Sequence, residues 1–99
     1  MANKTGSRDG KERLIKAGLA LARKQGYRLV GRDAIAAEAD CAHGLITFHF
    51  KDMDGMRAAI VQRAVEIECV PVIAEALAAK HPGVKGIPEA LRKRVVATL

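Results

Sequence analysis

The sequence predicts an all-α protein, and three observations lead there. Tyr27, Phe48 and Phe50 are the only aromatic residues in 99, whereas strands draw on aromatic and β-branched side chains. Alanine, the strongest helix former, is abundant instead. Apolar residues recur at intervals of three and four, the spacing that lines one face of a helix. With 49% hydrophobic residues, the chain can build one compact domain whose core needs neither metal nor disulfide.

Residues 1–9 are polar and small and read as a mobile basic arm, in which Lys4 and Arg8 can reach a phosphate backbone. Lys11 continues that basic cluster. A first helix over 10–25 places Leu14, Ala17, Gly18, Leu21 and Ala22 on one face, and Gly26 ends it as a cap. Residues 27–31 connect it to a second helix that starts near Arg32, with Ile35, Ala36 and Ala39 turned inward. Asp40 closes this helix, because aspartate tolerates the left-handed conformation of a tight turn.

Cys41 fills the turn as a small apolar plug, and a short third helix follows over 42–49, with Ile46 and Phe50 inward. Gly44 lowers its intrinsic helicity, so packing must hold it in place. Asp52 is the expected N-cap of a fourth helix that carries Met56, Ile60, Ala64 and Ile67, and Asp54 suits the positive end of its dipole. Pro71 predicts a break near Cys69 and a further helix over 71–79. Residues 80–88 hold two prolines and two glycines and read as a loop, before a last helix over 89–99 with Leu91, Val95 and Leu99 on one stripe. The domain plan is an arm (1–9), a three-helix unit (10–51) and an extension of two or three short helices (52–99), which is the expected dimerisation region.

Residues 32–50 have the arithmetic of a helix-turn-helix: an alanine-rich helix, a turn of about four residues and a second short helix. The same pattern also suits an ordinary three-helix bundle. In a helix-turn-helix the outward face of the second helix meets the major groove, and the positions assigned to that face are Ala42, His43, Leu45, Thr47 and His49. His43 and Thr47 can hydrogen-bond to bases or phosphates, and Leu45 can meet a thymine methyl group. Arg32 and Lys51 complete the expected DNA-binding set.

The formal charge of +6 and the pI of 9.8 call for a polyanionic partner, either nucleic acid or an anionic membrane surface. Charge alone does not choose between them. No stretch reaches the roughly 20 apolar residues of a membrane span, and the polar start of the chain is unlike a signal peptide. Cys41 and Cys69 form no CxxC pattern, which favours a reduced, cytoplasmic setting. Cys41, His43, His49 and His81 lack the spacing of a ligand set, so no metal and no cofactor are expected. Ser7 is the only serine and the carboxylates look like caps or surface charges, so no enzyme is expected.

Residues 13–60 resemble, without a gap, the N-terminal DNA-binding domain of TetR-type regulators. The shared elements are the first-helix pattern ending in Gly26 and Tyr27, the pair Ile35 and Ala36, Ala39, Gly44, and the FHF ending of Phe48 to Phe50. The family's turn glycine is Asp40 here, its valine Cys41, its serine N-cap Ala42 and its frequent lysine His43. Its phosphate-touching tyrosine is Thr47, and the lysine that opens the fourth helix is Met53. Family members run to roughly twice this length, with a second domain that binds effectors and dimerises.

The resemblance implies a small sequence-specific regulator of transcription, a repressor acting as a homodimer on a palindromic site in double-stranded DNA. No small-molecule effector pocket of the usual kind is expected. The alternative is an interaction module of the same fold, an antirepressor or heterodimer partner, that does not itself read DNA.

Overall fold

The computed structural model describes residues 7–98, with side chains described over 10–98. Six α-helices follow in order: α1 (Ser7–Gln25), α2 (Arg32–Ala39), α3 (Gly44–Phe50), α4 (Met53–Glu66), α5 (Val70–Ala78) and α6 (Glu89–Val96). Single 3-10 turns at Tyr27–Leu29 and Pro82–Val84 lie in the first and the last long connection. No strand occurs among the described residues. The all-α fold class is therefore as the composition and spacing require.

Helix α1 is the hub, since α2, α3, α4 and α5 all pack on it. Leu14, Ile35, Ile46, Met56 and Ile60 have no exposed surface and join the three N-terminal helices to α4. Helices α1 and α4 meet tightly at Gly18, where an added Cβ would stand 2.7 Å from Ile60 Cδ1 and 2.9 Å from its Cγ1. The core continues without interruption through Val61, Val72 and Ile73 to Leu91 and Val95, so the C-terminal helices share it.

The ends of the helices are set locally. Asp52 caps α4 by accepting from Gly55 N at 2.8 Å, as expected. Glu68, at φ 57°, breaks the chain after α4, and Pro71 sits in the first turn of α5, where its missing N–H costs no helical bond. Three boundaries differ from the sequence reading by two residues or more. Helix α1 begins at Ser7 rather than near Gly10, because Gly10 is buried against α3 and packing holds a turn that composition alone leaves mobile. Helix α3 begins at Gly44, two residues late, and α6 ends at Val96. Lys4 lies outside the described residues.

One ion pair fastens α1 to α4 on the surface. Arg63 donates from both terminal nitrogens to the Glu12 carboxylate, at 3.0 Å from Nη2, and from Nε to Glu66 at 3.1 Å. The Arg63 hydrogen bond holds the Glu12 carboxyl below its ordinary value of 4.5. A group with a lowered folded pKa stabilises the fold above its unfolded pKa and loses that contribution as pH falls through the folded value. The pair is half exposed, which limits it to about 1 kcal/mol or less.

Two predictions follow from these contacts. At neutral pH, Glu12→Gln is slightly less stable than the parent in urea unfolding, and the difference narrows as the pH is lowered below 4.5. A gap that stays constant would show that the carboxylate charge is irrelevant. At Gly55 two effects oppose: alanine gains up to about 1 kcal/mol of helix propensity, but its Cβ would collide with the backbone carbonyl oxygen of Phe50. Backbone cannot swing aside, so Gly55→Ala loses about 1–3 kcal/mol of unfolding free energy, and a rise in Tm would contradict this geometry.

Candidate nucleic-acid interface

The interface is built on α2, the turn after it and α3. Helix α2 ends with Asp40 in the left-handed conformation, at φ 55° and ψ 49°. Asp40 N donates to Ala37 O at 3.2 Å and Cys41 N to Ala36 O at 3.0 Å, a Schellman closure that satisfies the last carbonyls of the helix. Arg13 of α1 reaches the turn and donates from Nη2 to Ala39 O at 2.7 Å and to Asp40 O at 3.2 Å. Cys41, half buried, packs against the core as the plug of the turn.

Helix α3 then lies across α1 with Ile46 and Phe50 buried. A helix turns about 100° per residue, so Phe48 stands about 200° from Ile46 and faces outward. Gly44, Thr47, Phe48 and Lys51 form one exposed stripe at intervals of three, one and three. Arg32, at the start of α2, donates from Nη1 to Thr47 Oγ1 at 2.9 Å. His43 lies before α3 with its Nδ1 3.6 Å from Asp33 Oδ1 of α2. Two side-chain links thus tie α2 to α3 and the turn before it on the solvent side.

The structure sorts the expected site residues into three groups. Ala42, His43 and Thr47 are exposed together, with Arg32 and Lys51 beside them. Leu45 and His49 are corrections: both were assigned to the outward face, yet both are half buried and turn toward α1. A side chain at Gly10 would meet Leu45 Cδ1 at 3.4 Å and His49 Nε2 at 3.6 Å. The physical reason is the width of the contact, since α1 covers the flank of α3 as well as the line through Ile46 and Phe50. Lys11 is exposed on α1, in a groove shared with Phe50 and Ala59, and the side chain of Arg8 lies outside the described residues.

Phe48 is the residue that the sequence reading missed. It is 71% exposed and rests edge-on against the His49 ring, with centroids 4.9 Å apart. The signal was available, because assigning Ile46 and Phe50 inward forces position 48 to the opposite side of the helix. Elsewhere, no group of three or more His, Cys, Asp or Glu residues among those described is arranged to hold a metal ion. No described helix is long and apolar enough to cross a membrane.

Comparison with protein families finds one that fits this geometry, described as bacterial regulatory proteins, tetR family, over residues 14–60. Comparison with curated proteins and with solved structures gives no match. The matched span opens inside α1, contains α2, the turn and α3, and closes at Ile60, the residue of α4 that meets Gly18. The chain therefore carries, over residues 14–60, the N-terminal helix-turn-helix domain of the tetR family of bacterial regulatory proteins.

Proposed function

We propose that the chain is a sequence-specific DNA-binding regulator of transcription, a repressor that acts as a homodimer on a palindromic operator with the outward face of α3 in the major groove. The observation that carries this reading is the open stripe of Thr47, Phe48 and Lys51, which Arg32 flanks through its bond to Thr47. Ala42, His43 and Thr47 meet base edges, and Phe48 meets thymine methyl groups. Lys4, Arg8, Lys11, Arg32 and Lys51 meet phosphates, which position the protein without carrying sequence information. Leu45 and His49 serve the site by seating α3 on α1.

Two copies are needed because one short helix reads only a few base pairs, and half-sites about 34 Å apart require a paired reader. The extension over 52–99 supplies the pairing surface. In its favour, α5 exposes Pro71 and Ala78 and leaves Ala74 half exposed, with no charge among them. The reading places the protein in the cytoplasm and gives it no catalytic step, metal or cofactor. A second reading, docking of another protein on the same face, is favoured by one observation: the Thr47 hydroxyl is already engaged and the centre of the face is an apolar ring.

Fluorescence anisotropy on genomic fragments selected by the protein separates the two. Specific binding that weakens steeply with salt supports the first reading. Failure to bind any fragment, alongside a stable complex with another protein, supports the second. Within the first, His43→Ala combined with Thr47→Ala weakens specific binding by about 1–3 kcal/mol with an unchanged unfolding transition. Lys11→Ala instead weakens all sequences alike and lowers the salt slope by about one.

A further inference from the structure

Phe48 stands at the centre of the outward face of α3. At about 100° per residue, the buried side chains of Ile46 and Phe50 point about 40° apart, and the direction opposite their midpoint is that of position 48. One turn earlier on the same side, Gly44 carries no side chain, and a Cβ added there would meet nothing within 4 Å. The ring, 71% exposed, therefore projects from bare backbone.

It is also braced. The His49 ring packs edge-on against it, with the planes 78° apart and the centroids at 4.9 Å. His49 is itself half buried, and its Nε2 lies beside Gly10 of α1 without a hydrogen-bond partner among the described residues, so packing alone retains that ring. A braced aromatic ring has little side-chain freedom left to lose when a partner arrives.

The polar side chains nearest to it on the face are already engaged: Thr47 Oγ1 accepts from Arg32 Nη1 at 2.9 Å, and His43 Nδ1 lies 3.6 Å from Asp33 Oδ1. The centre of the face thus offers a base pair a phenyl surface that neither donates nor accepts a conventional hydrogen bond. The feature of the major groove that such a surface recognises is a methyl group on pyrimidine C5. Thymine carries that methyl beside an acceptor, O4. The modified base 5-methylcytosine carries it beside a donor, the N4 amino group, and a phenyl ring gains from either.

Given the DNA-binding reading of α3, on which this rests, we propose that Phe48 is a specificity-determining residue that reads the C5 methyl group itself, so that 5-methylcytosine is favoured over cytosine at the position it contacts. Cytosine methylation is then a regulator of operator affinity, with no change in base sequence and no ligand bound to the protein.

Fluorescence anisotropy with duplexes of the operator that the full chain selects from genomic fragments tests this one methyl group at a time. Each thymine in turn is replaced by deoxyuridine, which removes the methyl and keeps the pairing, and each cytosine by 5-methylcytosine, which adds one. The expected result is a position where losing the methyl from thymine weakens binding about fourfold, or gaining it on cytosine strengthens binding by as much. Phe48→Ala abolishes that difference, whereas Phe48→Leu, which keeps an apolar tip, preserves its sign; lower salt keeps the weaker variant within the measurable range. A chain that binds no fragment overturns the DNA-binding reading and this inference with it. Specific binding in which no methyl group matters, or in which every methyl effect persists in Phe48→Ala, overturns this inference alone.

Discussion

The close fit of α1 against α4, on which the other helices are arranged, rests on there being no side chain at Gly18. Glycine in mid-helix costs about 1 kcal/mol relative to alanine, and α1 is otherwise a well-formed helix of 19 residues. Packing outweighs that cost, because Ile60 and Met56 of α4 occupy the space that a Cβ would need. Overfilling such a contact costs about 1–3 kcal/mol and moves a helix. Any displacement here spreads, since α1 is the surface on which α2 and α3 are set. The seat of α3 on α1 and the fit of α1 against α4 therefore belong to one packing problem.

A second theme is the use of charged side chains to finish backbone that the helices leave open. Glu75 of α5 accepts from Tyr27 N at 2.7 Å and Arg28 N at 3.4 Å, and from Arg28 Nε at 3.2 Å. Arg57 of α4 donates to Val30 O at 3.2 Å, and Arg13 of α1 to the carbonyls that end α2. Hydrogen bonds to charged groups contribute about 1.5–3 kcal/mol each when shielded, and these sit at chain reversals where no helical partner exists. Their effect is to join the extension to the helix-turn-helix. Glu75 lies outside the matched span of residues 14–60 yet closes the connection between α1 and α2.

Much of this fold was legible because its local and global demands agree. The periodicity of Leu14, Ile35, Ile46, Met56 and Ile60 named the core, Asp40 announced a left-handed turn, and Asp52 and Pro71 marked a start and a break. What could not be read depends on partners distant in sequence. Ser7 joins α1 because Gly10 is buried under α3, and Leu45 and His49 turn inward because α1 is broad enough to cover the flank of a seven-residue helix. Glu75 resembled any surface carboxylate until α5 brought it to Tyr27 N. Phe48 is a different case: the helical arithmetic exposed it, but an aromatic residue invites a buried assignment.

The outward face of α3 carries little charge for a protein with a net charge of +6. Lys51 is the one lysine or arginine on the stripe, and Arg32 joins it from α2. In the proposed reading this divides the labour of binding. Phosphate attraction, which is long-ranged and blind to sequence, comes from cations spread over the rest of the chain, while discrimination falls to His43, Thr47 and the ring of Phe48. A hydroxyl already held by Arg32 is fixed in place before DNA arrives, so less side-chain freedom is lost on contact. An exposed phenyl group gains most where thymine methyl groups line the groove. Selectivity built this way rests on shape and apolar fit at a few positions, with the two-fold repetition of the site supplying the remainder.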